Sequence, residues 1–301
     1  MAQRVFVTGG TGFVGRQVIR ALLAHGFLVR CLVRPGSERA LKGFASIDRV
    51  PGDIMAPEGL TPSVEGCAAV VHLVGIIRER AARGVTFERL HLDATRNVLE
   101  VARKAGVPRY LHMSALGTRP AARSRYHQTK WAAEEAVRAS GLDWTIFRPS
   151  IIFGRGDAFV SVLGRVIRRL PVVPVLGDGR YRLQPIPVEQ VAEGFARAIG
   201  TPAARGATYE VAGPVPYAFV DLLDEIARAL GRQRARTVHV PLAPVRLATR
   251  LLQGLPFYPL SVDQLTMLEE ESVGDPGRFF ADFGLAPEPL PVGLRRMFAP
   301  A

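Results

Sequence analysis

Short apolar runs separated by polar or glycine-rich breaks dominate the first half of the chain. Residues 5–7, 27–33, 47–50, 68–73, 110–113 and 144–147 are rich in β-branched, aliphatic or aromatic residues, and each has the length of a strand. Helical periodicity fills several of the gaps. A first helix follows the glycines near residue 12 and ends near His25 and Gly26. A second runs over 87–105, with Phe87, Leu90, Ala94, Val98, Leu99, Val101 and Ala102 on one stripe and Gly106 as its stop. Continuous apolar strands alternating with helices predict an α/β fold, a Rossmann-type doubly wound parallel sheet over residues 1–150. That segment is expected to be the nucleotide-binding domain.

The alternation breaks after Pro149. Val160, Leu163, Val166, Ile167 and Leu170 form a helical stripe, 188–199 and 219–230 are further helices, and 208–211 is a strand between them. Residues 151–301 are expected to form a smaller, mostly helical substrate or partner domain, its segments partly interleaved with the first. Arg165, Arg168 and Arg169 lie off the stripe, which fits a basic lid over an anionic ligand or, by default, an ordinary amphipathic helix. The stretch 244–259 carries Val245, Leu247, Leu251, Leu252, Leu255, Phe257 and Tyr258, with only Arg246 and Arg250 charged. It could touch a membrane face, a quinone or a partner protein. Packing against the nucleotide domain is the default, because it is far too short to span a bilayer.

Candidate chemistry begins at the first turn. Thr8, Gly9, Gly10, Thr11, Gly12, Phe13, Val14 and Gly15 join the first strand to the first helix. Gly9, Gly12, Gly15 and Gly10, Gly12, Gly15 are both spacings that let backbone approach a pyrophosphate at a helix N-terminus. At the end of the second strand, where NAD-binding folds place an acid for the ribose hydroxyls, stands Arg34, with Ser37 and Arg39 close behind. A guanidinium there suits the extra phosphate of NADP(H), so NADP(H) is expected over NAD(H). The alternative is a solvated loop residue. Asp53 and Ile54 are placed to meet the adenine, and Leu73, Val74 and Gly75 to pass the phosphates and ribose. His72 reads as a packed strand-end residue.

Ser114 closes the fifth strand, and Tyr126 and Lys130 open the next helix four residues apart, on one face. An ammonium beside a phenol is expected to lower its pKa toward that of a proton relay, and also to reach the nicotinamide ribose. The proposed catalytic set is therefore Ser114, Tyr126 and Lys130.

Composition narrows the partners. The chain has 39 basic and 27 acidic residues in 301, a formal charge of +12. Such a balance raises nucleic acid, anionic membranes and phosphorylated ligands as partners. The arginines are scattered, without a basic run interleaved with aromatics, so no nucleic-acid partner is expected. Cys31 and Cys67, with no CxxC and no His/Cys cluster, point to a reducing compartment and no metal site. No signal peptide is expected before the first strand, and the expected location is cytoplasmic, with peripheral contact at the inner membrane left open.

Taken together, these motifs resemble the short-chain dehydrogenase/reductase family in its extended form. Gly9, Gly12 and Gly15 match its nucleotide turn, Asp53 and Ile54 its adenine contact, Ser114 its substrate-orienting serine, and Tyr126 with Lys130 its active-site pair. Arg148, Pro149, Ser150, Phe153 and Gly154 are similar to the segment that passes the nicotinamide, which implies Pro149 as a cofactor contact. One position departs. The family's catalytic asparagine is replaced by His91, ahead of Leu92, Asp93, Ala94, Thr95, Arg96 and Asn97. Residues 114–117 and 260–265 are similar to an atypical subgroup that includes the NAD(P)-binding accessory subunit of respiratory complex I and its bacterial relatives. The resemblance implies an NADP(H)-binding oxidoreductase acting on a carbonyl or alcohol, with a quinone-like or carbonyl compound as substrate. The alternative is a nucleotide-binding accessory or assembly protein of a membrane complex. An epimerase acting on a nucleotide sugar shares the fold but usually uses NAD, and Arg34 argues against it.

Overall fold

Val5 and Val7 point into one apolar layer and Phe6 into another, and the same split recurs at Val71 and Val70, Leu111 and Tyr110, and Phe147 and Ile146. Strands with both faces covered in this way make the centre of a three-layer α/β sandwich. The computed structural model describes residues 2–255, 258 and 260–299. Along the first half run β1 (Arg4–Thr8), α1 (Phe13–Ala24), β2 (Leu28–Val33), β3 (Asp48–Pro51), the single turn α2 (Thr61–Val64) and β4 (Ala69–His72). Then come a π-helical turn (Glu88–Asp93) continuous with α3 (Ala94–Lys104), β5 (Arg109–Met113), α4 (Arg125–Arg138) and β6 (Asp143–Pro149).

The second half holds β7 (Ile152–Phe153), α5 (Val160–Arg169), β8 (Val173–Leu176), β9 (Arg182–Leu183), β10 (Ile186–Pro187), α6 (Val188–Ala198) and β11 (Ala207–Val211). It ends with β12 (Tyr217–Ala218), α7 (Phe219–Ala229), β13 (Thr237–Val240), α8 (Leu242–Leu252), α9 (Val262–Glu269), α10 (Gly277–Asp282) and α11 (Leu290–Phe298). The main sheet has the order β11-β6-β5-β4-β1-β2-β3, and every pair in it is parallel. Strand order reverses between β1 and β4, so a crevice opens at their carboxyl ends, where such sheets bind ligands.

Two elements differ from the sequence reading, the start of the helix expected over 87–105 and α8. The helix expected over 87–105 begins as a wide turn, in which the Thr95 hydroxyl donates to the His91 carbonyl four residues back. A side-chain bond of that kind competes with the backbone ladder and loosens a helix. Segments beyond residue 150 return to the sheet: β11 pairs with β6, and α6 packs along α1. Phe279 and Phe283 join the ring cluster around Phe147. A separate core, built on Phe153, Ile167, Leu222, Ile226 and Leu294, holds α5, α7 and α11 together.

The second difference is a correction. α8 does not bury its leucines against the nucleotide-binding half: Thr249 is its one buried residue, while Leu247 and Leu251 are 60% and 74% exposed. The helix leans on α9 instead, because α9 occupies the space beside the sheet's carboxyl edge. Phe257, read from sequence as part of the same apolar stretch, lies outside the described residues.

Close approach at the β1–α1 turn permits no side chain. Gly9 has φ +76°, and a Cβ on Gly15 would overlap the Gly9 carbonyl oxygen. Gly15→Val is expected to lose about 1–3 kcal/mol of stability through overpacking, measured by urea unfolding. An unchanged midpoint would contradict the packing described.

Candidate active site

At the nucleotide turn, the two glycine spacings separate by what each glycine touches. A Cβ on Gly9 would come within 2.9 Å of the Leu73 carbonyl carbon, and one on Gly10 would overlap Cys31 Sγ, so these two serve packing. Gly12 is exposed and faces only the Gly9 oxygen, while its own amide donates to that oxygen at 3.0 Å. It caps α1 without a side-chain partner, and no acidic residue sits in the first turn. The amides of Phe13 and Val14 therefore start a helix whose N-terminus is open to an anion. Thr11, Gly12, Phe13 and Val14 line that opening, whereas the Thr8 hydroxyl is spent on His72 Nδ1 at 2.7 Å.

The remaining expected cofactor positions lie on the same edge. Arg34 is exposed just past β2, and its carbonyl accepts from the Ser37 amide. Asp53 is exposed just past β3, its Oδ1 accepting from the Met55 amide at 2.9 Å. Ile54 is buried, and the Asn97 amide group donates to its carbonyl at 2.9 Å. Sequence reading gave Asn97 no role, and the tie to residue 54 has no local signal. Leu73 continues β4, its amide on the Thr8 carbonyl at 3.1 Å, and Val74 and Gly75 follow. A left-handed glycine and an uncapped helix start at the carboxyl edge of the sheet together fit the pyrophosphate of a dinucleotide.

Ser124 caps α4 by accepting from the His127 amide, which places Tyr126 in the first turn and Lys130 one turn later. Both are buried, at 9% and 2% exposure. The Tyr126 ring meets Phe87 and His91 edge-on, with centroids 5.8 and 5.2 Å apart, and Ala115, Ile76 and Met267 complete its apolar surroundings. Lys130 Nζ donates to the Met113 carbonyl at 3.0 Å, at the end of β5. A Cβ on Gly75 would stand 3.1 Å from that nitrogen, so β4, β5 and α4 converge on the lysine. Ser114 follows Met113; it is 3% exposed, and its hydroxyl lies 3.5 Å from that of Thr118.

Electrostatics corrects one expectation. Burial pushes the Tyr126 phenol up to about 12 instead of the neighbouring ammonium bringing it down. Burial also draws Lys130 down to about 8, with Glu134 opposing it. Desolvation is the leading cause for both groups, and the phenol stays protonated at neutral pH. Glu134 is in turn gripped by Arg148 through two bonds of 2.8 and 2.6 Å. Pro149 follows at the end of β6, its carbonyl accepting from the Leu116 amide at 2.9 Å.

His91 is fully buried. Its Nδ1 lies 2.8 Å from the Thr129 hydroxyl, and its Nε2 lies 3.2 and 3.0 Å from the Ile76 nitrogen and oxygen. Thr129 Oγ1 also lies 3.0 Å from the Arg125 and Tyr126 carbonyls, so both imidazole nitrogens are engaged by protein groups. Burial and the Lys130 charge push this imidazole down to about 2, so it stays neutral. His72 is likewise enclosed, between Thr8 and Thr95.

α9 closes the site from the far end of the chain, and sequence reading missed it. Glu270 Oε1 accepts from Arg119 and the Arg123 amide at 2.7 and 2.8 Å, and Oε2 lies 3.0 Å from His127 Nδ1. Burial alone would raise this carboxyl, but those three donors hold it below its usual range. Asp263 accepts from the Arg125 amide at 2.8 Å. The His127–Glu270 pair is separated by 143 residues, so no local pattern could reveal it.

Sheet order, the bare helix start and the buried Tyr–Lys pair define a dinucleotide-binding α/β protein. A family described as NAD(P)H-binding matches residues 9–159, and one described as the RmlD substrate binding domain matches 117–246. The chain belongs to the NAD(P)H-binding short-chain dehydrogenase/reductases, in their extended, atypical branch. It is 35% identical to the ceramide reductase of Caulobacter vibrioides over 66% of its own length and 61% of that protein's. It is also similar to NADH dehydrogenase [ubiquinone] 1 alpha subcomplex subunit 9 of Arabidopsis thaliana, at 29% identity over 94% of this chain and 74% of that one. The fold is shared with UDP-glucuronic acid 4-epimerase of Bacillus cereus, with TM-score 0.74, 18% identity and 98% of each chain covered.

Glu270→Ala strips the acceptor from Arg119, the Arg123 amide, His127 and the Ser124 hydroxyl and is expected to lower stability by about 2–3 kcal/mol. Urea unfolding measures the loss, and hydrogen exchange should quicken over 262–269. Unaltered exchange there would show that α9 is held by other contacts.

Proposed function

We propose that the protein reduces a carbonyl group on a lipophilic substrate, with NADPH as its preferred coenzyme. The observation that carries this reading is the buried, protonated Tyr126 phenol, one helical turn from a lysine that is braced against the ends of β4 and β5. When bound, the nicotinamide supplies the hydride. Tyr126 gives its proton to the carbonyl oxygen as that oxygen becomes an alcohol, and Ser114 hydrogen-bonds the same oxygen and orients it. Lys130 balances the charge left on the phenolate and reaches the nicotinamide ribose. A phenol raised to about 12 is fully protonated at neutral pH, so the proton is in place when the carbonyl arrives.

Coenzyme choice rests on Arg34, whose guanidinium forms no ion pair among the described residues and stands where an acid would otherwise repel a phosphate. Substrate character rests on the apolar wall of Phe87, Ala115, Ile76 and Met267 around the phenol. It agrees with the ceramide and ubiquinone in the names of two relatives. A second reading, a nucleotide-binding accessory subunit with little or no turnover, is favoured by His91, whose two nitrogens are committed to protein groups and leave none for a relay water.

Tyr126→Phe is expected to lower kcat by about 10²–10⁴-fold while leaving NADPH affinity nearly unchanged. Full activity in that variant ends the catalytic proposal. Copurified NADPH that is not oxidised over hours with quinones, aldehydes or nucleotide sugars would favour the accessory reading.

Arg34→Asp is expected to erase or reverse the preference for NADPH over NADH in titrations of nicotinamide fluorescence, and equal affinities in the unaltered protein would refute it. Activity should also depend on the Lys130 charge. Its ammonium is protonated below about 8, so kcat is expected to hold below that pH and to fall as pH rises through it. A profile flat to pH 10 would exclude the lysine from the rate.

A further inference from the structure

Exposed leucines gather on α8 and the turn behind it: Leu247 at 60%, Leu251 at 74%, Leu252 at 37% and Leu255 at 38%. Ile77, 53% exposed, belongs to the neighbouring loop after β4, and the Arg78 guanidinium ties that loop to α8 by donating to the Gln253 carbonyl at 3.0 Å. A contiguous apolar patch of this kind on a folded chain marks a surface that something covers.

Charge identifies what covers it. Residues 241–262 contain no aspartate or glutamate. Arg246 is ion-paired with Glu269, whereas Arg250 is exposed and has no ion pair among the described residues. Arg80 and Arg83, on the tied loop, are exposed too. The whole chain carries a formal charge of +12. Glu79, the one acid of the 77–83 loop, is engaged by the Phe87 amide and Arg125, so leucines framed by the exposed Arg80, Arg83 and Arg250 match the acyl boundary and phosphate layer of an anionic bilayer. No helix among the described residues is long and apolar enough to cross a membrane, so any such contact lies in the interface.

We propose that α8 and the adjoining 77–83 loop dock the protein on an anionic lipid surface. The geometry also links that surface to the pocket. The Val262 amide at the start of α9 donates to the Gln253 side chain at 3.1 Å, and α9 carries Met267 onto the Tyr126 cluster. Docking by α8 therefore brings the wall of the reaction pocket next to the leaflet, and a membrane-dissolved carbonyl compound enters along Ile76 and Met267. Delivery of substrate rests on the function proposed above; docking does not.

Flotation of the full chain with protein-free vesicles tests the surface. Binding is expected to vesicles of phosphatidylcholine mixed with phosphatidylglycerol and to be weak with phosphatidylcholine alone. The double variant Leu247→Glu/Leu251→Glu should lose roughly tenfold or more in partitioning, with NADPH affinity unchanged as proof of folding. Arg250→Glu should weaken binding and its dependence on salt. Absence of binding to mixed vesicles, or equal binding by the double variant, overturns the proposal, as does capture by a membrane protein complex in place of protein-free vesicles.

A second readout separates docking from catalysis. The double variant is expected to reduce a water-soluble short-chain carbonyl normally while losing activity on a long-chain one embedded in vesicles. Equal activity on both would refute delivery from the leaflet, whereas full activity in Tyr126→Phe would refute the reaction and leave docking standing.

Discussion

Backbone meets backbone at the switch point of the sheet, and the site depends on that contact. Gly9 lies against the Leu73 carbonyl, and Gly15 lies against Gly9, so β1, β4 and the start of α1 approach more closely than side chains would allow. Two consequences follow from one steric fact. The first turn of α1 is left bare of side-chain caps and acids, which makes it an anion site. The end of β4 is also drawn in far enough for Gly75 to lie beside Lys130. Nucleotide turn and reaction centre are thereby set by one packing constraint.

Desolvation governs the chemistry at that centre. Tyr126, Lys130 and His91 are all buried near one another, and burial is the leading cause of the shift in each. The three groups move in the directions that disfavour charge: the phenol up, the lysine and the imidazole down. The phenol is thereby held neutral against an apolar wall of Phe87, Ala115, Ile76 and Met267. The buried Arg148–Glu134–Arg138 cluster fixes α4 from behind, with bonds of 2.6 Å from each arginine to one carboxylate oxygen. Holding the helix on both sides keeps its first turn in place.

The second half of the chain does more than cap the first. β11 and α6 complete the sheet and one of its layers, while the α9 segment reaches back through Glu270 and Asp263 to the first turn of α4, which carries Tyr126. These ties span long sequence separations, so the pocket is assembled only once the whole chain has folded. They also leave α8 on the outside with its leucines uncovered.

Local order carried the features that were legible beforehand. The apolar runs at 5–7, 68–73 and 110–113 read as buried parallel strands because they are short and nearly continuous, without the alternation of a half-exposed strand. Glycines 9 to 15 and the four-residue step from Tyr126 to Lys130 read as a site because turn geometry and helical pitch are properties of a few consecutive residues. Periodicity could not show the direction of the Tyr126 shift, which depends on Phe87, Ala115 and Met267 closing around the ring. Nor could it show where Glu270 binds or which way the α8 leucines face. Burial and long-range hydrogen bonding belong to pairs of distant residues, and their outcome is decided only when tertiary packing brings those residues together.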